Sequence, residues 1–187
     1  MCRSGPPVGP PRCDTGRVAR LEIDPDASRV WIDGSSSVHP IRARAHGLTG
    51  WVEVALDGGA VAEEPGLGGE VRIEVGRLAS GNPLVDRETR RRIDARRFPE
   101  IVGTVTAADR VDDRTLAVTG DIAFRGEVRP VAGELDLVVG GAGRLTIEGS
   151  VALDVRDWGL TPPRVGLLRV HPDIEVRIHV EAVPPGH

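Results

Sequence analysis

Two groups of residues in this chain could do chemistry. The first lies in "LVDRETRRRIDARRFPEI", Leu84 to Ile101, where six arginines fall within eleven residues, Arg87 to Arg97. Arginine presents a planar, permanently charged fork that matches the oxygens of phosphates and carboxylates. Arg87, Arg90, Arg91, Arg96 and Arg97 are therefore candidates for contact with an anionic head group or an anionic membrane surface. The plainer reading is a solvated helix, with Asp86, Glu88, Asp94 and Glu100 partly neutralising the arginines. The second group is scattered. His39, His46, His171 and His179 show no metal-ligand spacing. His179 alternates outward on a strand, and His39 beside Pro40 suits a strand turn. Asp154 and Asp157 flank Val155 and Arg156 beside Trp158, either as a carboxylate pair or as caps of a turn. GxSxG, P-loop, HExxH and CxxC patterns are absent. No nucleophile, base and orienting group converge, so the sequence predicts a binding protein with no catalytic residues, no metal and no cofactor.

The arginines need an element to carry them. Asn82 suits a helix N-cap, and Pro83 suits the first helical position, where no N–H is required. Val85, Thr89 and Ile93 then recur every four residues, a narrow face that can lie against a sheet. Asp86 with Arg90, and Glu88 with Arg92, have ion-pair spacing, and Pro99 supplies a stop. The spacing predicts one helix over about 83–95.

Everything else alternates with a period of two, which marks strands with one buried face. The inward set begins with Val30 and Ile32 in 28–34 and Val54 in 51–56. Val71, Ile73 and Val75 follow in 70–75. Leu116, Val118, Ile122 and Phe124 come from 115–126, and Leu135 and Leu137 from 127–139. Ile147, Val151 and Leu153 belong to 144–155, and Ile174, Val176 and Ile178 to 174–182. Trp158 and Leu160 stand in the looser stretch 156–173. Further strands are read at 36–45 and 100–107. About eight antiparallel strands, each with one wet face, close most readily into an up-and-down barrel that leaves no edge; a sandwich is the alternative. Such an interior holds either side chains or one small ligand. A filled core and a slot for an alkyl chain use the same residues. Gly103, Gly120, Gly133 and Gly149 lie within strands, where glycine marks a bend or leaves room.

Bulk composition narrows the class. The 187 residues suit one domain, placed at 19–183 behind a Pro/Gly-rich tail, 1–18, too polar and proline-rich to fold. The net charge of −4 and a total of five Phe and Trp with no Tyr argue against nucleic acid. All 24 basic residues are arginine. Cys2 and Cys13 are the two cysteines and lie in the tail, so the body has no disulfide framework. The tail has no apolar core of a signal peptide, which predicts a cytoplasmic protein, or a periplasmic or secreted one if translation starts elsewhere.

Four stretches, in order, resemble the YceI-like family. "LEIDPDASRVWIDGSSSVHPI" is similar to its opening, and "LASGNPLVDRETRRRIDARRFPEIVGTV" to its middle signature, with Gly81, Asn82, Phe98 and Pro99 in place. "LAVTGDIAFRGEVRPVAGELDL" carries Thr119, Gly120, Asp121, Gly126, Arg129, Pro130 and Val131. "DVRDWGLTPPRVGLLRVHPDIEVRIHVEA" places Asp157, Trp158, Gly159 and Leu160 at an aspartate-aromatic-glycine turn. The resemblance implies a lipocalin-like extended barrel with a helix beside it. It implies a polyisoprenoid or isoprenoid quinone bound within, and for some members a homodimer. A prenyl phosphate would suit the arginines. The chain has fewer aromatics than such interiors often use. A structural or interaction module with a filled barrel is the alternative.

Overall fold

A computed structural model describes residues 17–165 and 168–186. Residues 1–16 of the tail, with both cysteines, lie outside the described residues. The strands are β1 (Arg17–Ile23), β2 (Arg29–Ser36), β3 (Pro40–His46), β4 (Thr49–Asp57), β5 (Ala60–Val61) and β6 (Gly68–Glu74). After helix α1 (Pro83–Ile93) come β7 (Glu100–Arg110), β8 (Thr115–Phe124) and β9 (Glu127–Val139). The chain ends with β10 (Leu145–Asp154), β11 (Arg164–Val165) and β12 (Leu168–Val183). β1 starts at Arg17, two residues ahead of the boundary expected from composition.

All pairings are antiparallel, and the ring β1-β4-β6-β7-β8-β9-β10-β12 closes where Ile23 meets Ala182. The result is a closed eight-strand barrel. β2 and β3 extend it. β2 continues from β1 and β3 runs into β4, so the two pairs form one long bent hairpin. The bend is built locally. Asp24 accepts hydrogen bonds from the N–H groups of Asp26 and Ala27, which turns the chain out of β1. Ser28, fully buried, then exchanges hydrogen bonds with the main chain of Glu181 and restarts pairing along β12.

The free edge of β3 is bridged by a single Arg44 to Ala79 pairing, and α1 follows beside it. Asn82 accepts from Leu84 N at 3.0 Å, and Pro83 opens the helix. The helix ends at Asp94, which adopts φ 57° and donates its N–H back to Arg90 and Arg91. Termination therefore precedes Pro99: once a left-handed residue turns the chain, no proline is needed. Glu88 pairs with Arg91 at 2.8 Å and lies 2.7 Å from Arg92 Nε, although that N–H does not point at the oxygen. The hydrogen bond from Arg91 is the chief cause that brings the Glu88 carboxyl from an ordinary 4.5 to about 2. The expected pair from Asp86 to Arg90 does not form as a hydrogen bond. Asp86 turns back to Ser80, and Arg90 donates to the Leu78 carbonyl at 3.3 Å.

Two other expectations change. The stretch 156–173 is not wholly loose: from Leu168 onward it is the start of β12, with a bulge between Val170 and Ile174. In β7 the register shifts between Val105 and Ala107, so a single extra residue flips the alternation. Ala108 and Arg110 thus share the inner face with Ile101, Gly103 and Val105. Arg110 donates to the carbonyls of Val61 and Ala62 at 2.8 and 2.7 Å, tying down the loop across that end of the barrel.

Candidate functional site

The barrel is solid at one end and hollow at the other. Val54, Leu116, Leu137, Leu145 and Ala182 are almost wholly buried where β7 and β9 end and β8 and β10 begin. Above them lies a cavity of about 400 Å³. The filled-barrel expectation does not describe this interior. The volume falls in the roughly 300–1,000 Å³ range of small-molecule pockets.

Sixteen of the twenty residues expected to face a ligand line this cavity. Val30 and Ile32 come from β2, and Val71 and Ile73 from β6. Val118, Ile122 and Phe124 come from β8, Leu135 from β9, and Ile147, Val151 and Leu153 from β10. Ile174, Val176 and Ile178 come from β12, and Trp158 and Leu160 from the turn before it. The remaining four are corrections. Val54, Leu116 and Leu137 belong to the packed end, and Val75 sits in a short 3-10 turn beyond β6, fully buried. Alternation fixes which face a residue takes, not its height along the barrel.

Sequence reasoning left out Ile101 and Val105 of β7, and the whole wall beside β3. Ile41 and Ala43 of β3 and Val85, Thr89 and Ile93 of α1 also line the cavity. The helix face was legible as a face; its role as a wall depends on the gap beside β3, which no local pattern reveals. The in-strand glycines 103, 120, 133 and 149 all border the cavity as well.

The aspartate-aromatic-glycine turn closes one side. Trp158 is buried and donates Nε1–H to the Ile122 carbonyl at 3.1 Å, with its ring 6.5 Å from that of Phe124. Arg125 locks the turn by donating to the Trp158 carbonyl at 2.9 Å, and Arg129 donates to the Asp157 carbonyl at 2.8 Å. Asp154 caps the turn at Arg156 N and pairs with the Arg156 guanidinium, which lowers its pKa. It forms no carboxylate pair with Asp157.

None of Arg87, Arg90, Arg91, Arg96 and Arg97 lines the cavity. Leu84, Arg87 and Arg91 share the outer face of α1, opposite Val85, Thr89 and Ile93. No arginine of this set is therefore part of the cavity wall. The histidines do not converge either. His179 reaches Glu148 on the outer surface at 2.9 Å, and His39 sits in the turn between β2 and β3. Among the described residues no three His, Cys, Asp or Glu side chains gather as a metal site. No described helix is long and apolar enough to cross a membrane.

A closed up-and-down barrel with a largely aliphatic cavity, walled on one side by a helix, defines a lipocalin-like architecture. The chain belongs to the YceI-like domain family, whose model matches residues 21–182. Its fold is similar to that of BcnA from Burkholderia cenocepacia, with a TM-score of 0.72 and 15% identity over 86% of this chain and 99% of that one. A polyisoprenoid binding domain from Saccharophagus degradans, implicated in plant cell wall breakdown, gives a TM-score of 0.69 and 14% identity over 90% and 100%. The YCEI protein of Campylobacter jejuni gives 0.61 and 15% over 75% and 83%. No curated protein matches the sequence.

Proposed function

We propose that this protein binds an apolar lipid, a polyisoprenoid or isoprenoid quinone, inside the barrel, and carries or sequesters it without chemical change. The observation that carries this reading is the aliphatic cavity of about 400 Å³. The family and the polyisoprenoid binding domain among its structural neighbours support the same ligand class. Affinity comes from removing the tail from water, roughly 25 cal/mol per Å² before the costs of association. Tail length therefore governs affinity more than head group does. Lipids extracted from protein purified out of its native host and read by mass spectrometry should contain a stoichiometric prenyl lipid. Protein that is reproducibly lipid-free, and takes up no prenyl chain when offered one, would overturn the reading.

The outer face of α1 is the surface for exchange with a membrane. Leu84 is 78% exposed there, beside Arg87 and Arg91, while Val85 behind it lines the cavity. Reversing charge at Arg87, Arg91 and Arg97 together is expected to weaken binding to anionic vesicles. Losing ~1 kcal/mol of attraction per arginine already gives about a hundredfold at low salt, and the added repulsion makes this a lower bound. Equal vesicle binding by wild type and triple variant at low ionic strength would remove this role.

A further inference from the structure

One wall of the cavity differs from the others. On the strands, the polar residues bordering it are Glu70, Thr104, Thr119, Asp121, Glu134 and Ser150. Each occupies an outward position between two inward ones, so its side chain turns away from the interior. His171 borders the cavity from the irregular part of β12 and is exposed. The α1 wall instead brings three polar side chains together, Ser80, Asp86 and Thr89. Asp86 and Thr89 are one turn apart, and Ser80 folds back onto Asp86. The Ser80 N–H and hydroxyl both donate to Asp86 Oδ1, at 2.7 and 2.6 Å.

These bonds have a chemical consequence. Both go to one carboxylate oxygen, and Oδ2 accepts none from the described residues. Hydrogen bonds from Ser80 hold the Asp86 carboxyl below the usual carboxylate range, so it is ionised at neutral pH. An ionised carboxylate only accepts hydrogen bonds. Arg90, one turn further on, is engaged by the Leu78 carbonyl and does not line the cavity. In an apolar pocket, a few convergent polar groups set the orientation of the ligand.

We infer that Ser80, Asp86 and Thr89 form the head-group end of the cavity, and that this end selects a hydrogen-bond donor, a hydroxyl or amine, over a phosphate. The inference rests on the lipid-binding reading and narrows its ligand: a prenyl alcohol, amine or quinol fits this end, whereas an oxidised quinone, which only accepts hydrogen bonds, does not. A donor head group satisfies Asp86 Oδ2. A phosphate would meet a like charge at this half-buried end, with only the Arg90 guanidinium nearby to offset it, so rejection is built in as well as attraction.

The test uses three probes with one tail: geranylgeraniol, geranylgeranyl phosphate, and the corresponding hydrocarbon. Dissociation constants are measured by displacement of a fluorescent fatty probe. The alcohol should bind at least about tenfold tighter than the phosphate, the scale of one hydrogen bond to a charged group. Asp86→Asn should remove most of that gap, chiefly by tightening the phosphate. Ser80→Ala removes the hydroxyl hydrogen bond to Asp86 Oδ1 but keeps the carboxylate and the main-chain bond, so it should preserve the preference. A phosphate that binds wild type as well as the alcohol does would overturn the inference. So would an unchanged ratio in folded Asp86→Asn, or a ratio lost equally in Ser80→Ala. If not even the hydrocarbon binds, it is the lipid reading that fails, and the selectivity falls with it.

Discussion

Gly133→Leu is expected to weaken lipid binding about ten- to a hundredfold while leaving the barrel at least as stable as before. Gly133 lies on the inner face of β9, between Val131 and Leu135, and opposite Val118 of β8. A Cβ built there meets nothing closer than the Ser150 carbonyl at 3.6 Å, an ordinary contact. The added side chain would therefore enter the cavity without moving the wall. A leucine gains roughly 1.5–3 kcal/mol when taken out of water, and the ligand forfeits contacts on a similar scale. The strand also loses a glycine, whose backbone freedom costs roughly 0.5–1 kcal/mol. Thermal unfolding should show a transition at or above the wild-type temperature, and lipid carry-over should fall. Ala132→Leu places the same group on the exposed face one residue away and should alter neither. A Gly133→Leu protein that is folded and still fully loaded would show that the ligand does not use this cavity.

That prediction was within reach of the sequence only in part. Alternation in 127–139 placed Gly133 on the inner face, but could not tell a bend from a void. The same limit explains the four misplaced residues. Val54 and Leu116 alternate as regularly as Val71 and Val118, yet the first pair lies at the packed end and the second against the cavity. Height along the barrel is set by strand register, and register is a property of pairs of strands. The bent hairpin was hidden for another reason: 28–34, 36–45 and 51–56 read as separate strands, although the pairing runs on across the bend between them. In α1 the cap, the first-turn proline and the inner face were all local, and were legible. Asp86 was not, because four-residue spacing favours Arg90, while Ser80 lies before the helix and meets Asp86 only after the chain turns at Gly81.

Gly120→Ala is expected to cost about 3 kcal/mol, among the larger effects available to a single methyl group. Gly120 sits one strand from Gly133 on the same inner face and pairs with Val105 and Val131. Its surroundings are nevertheless opposite. A Cβ at this position would fall 1.9 Å from the Thr104 carbonyl oxygen and 3.2 Å from Val105 Cα. Those atoms are main chain, so no rotamer change relieves the contact, and strand β7 would have to move. It has little freedom to do so. Immediately beyond Val105 the register shifts, and the bulge at Thr106 brings Ala108 and Arg110 onto the inner face. Pushing β7 away at Gly120 therefore also disturbs the Arg110 bonds to Val61 and Ala62 that tie down the packed end. For a chain of this length the loss corresponds to a fall of about 6–12 °C in the unfolding midpoint. Gly133→Ala, the same change in open space, should stay within about 1 kcal/mol of wild type. The pair is informative because the two positions share the inner face and the substitution, and differ in clearance: Gly120 is buried between β7 and β9, whereas Gly133 is half-buried and open toward the cavity. If Gly120→Ala unfolds with Gly133→Ala, the close approach of β7 and β8 at the bulge is not a constraint, and the helix-side half of the barrel is looser than its hydrogen bonding implies.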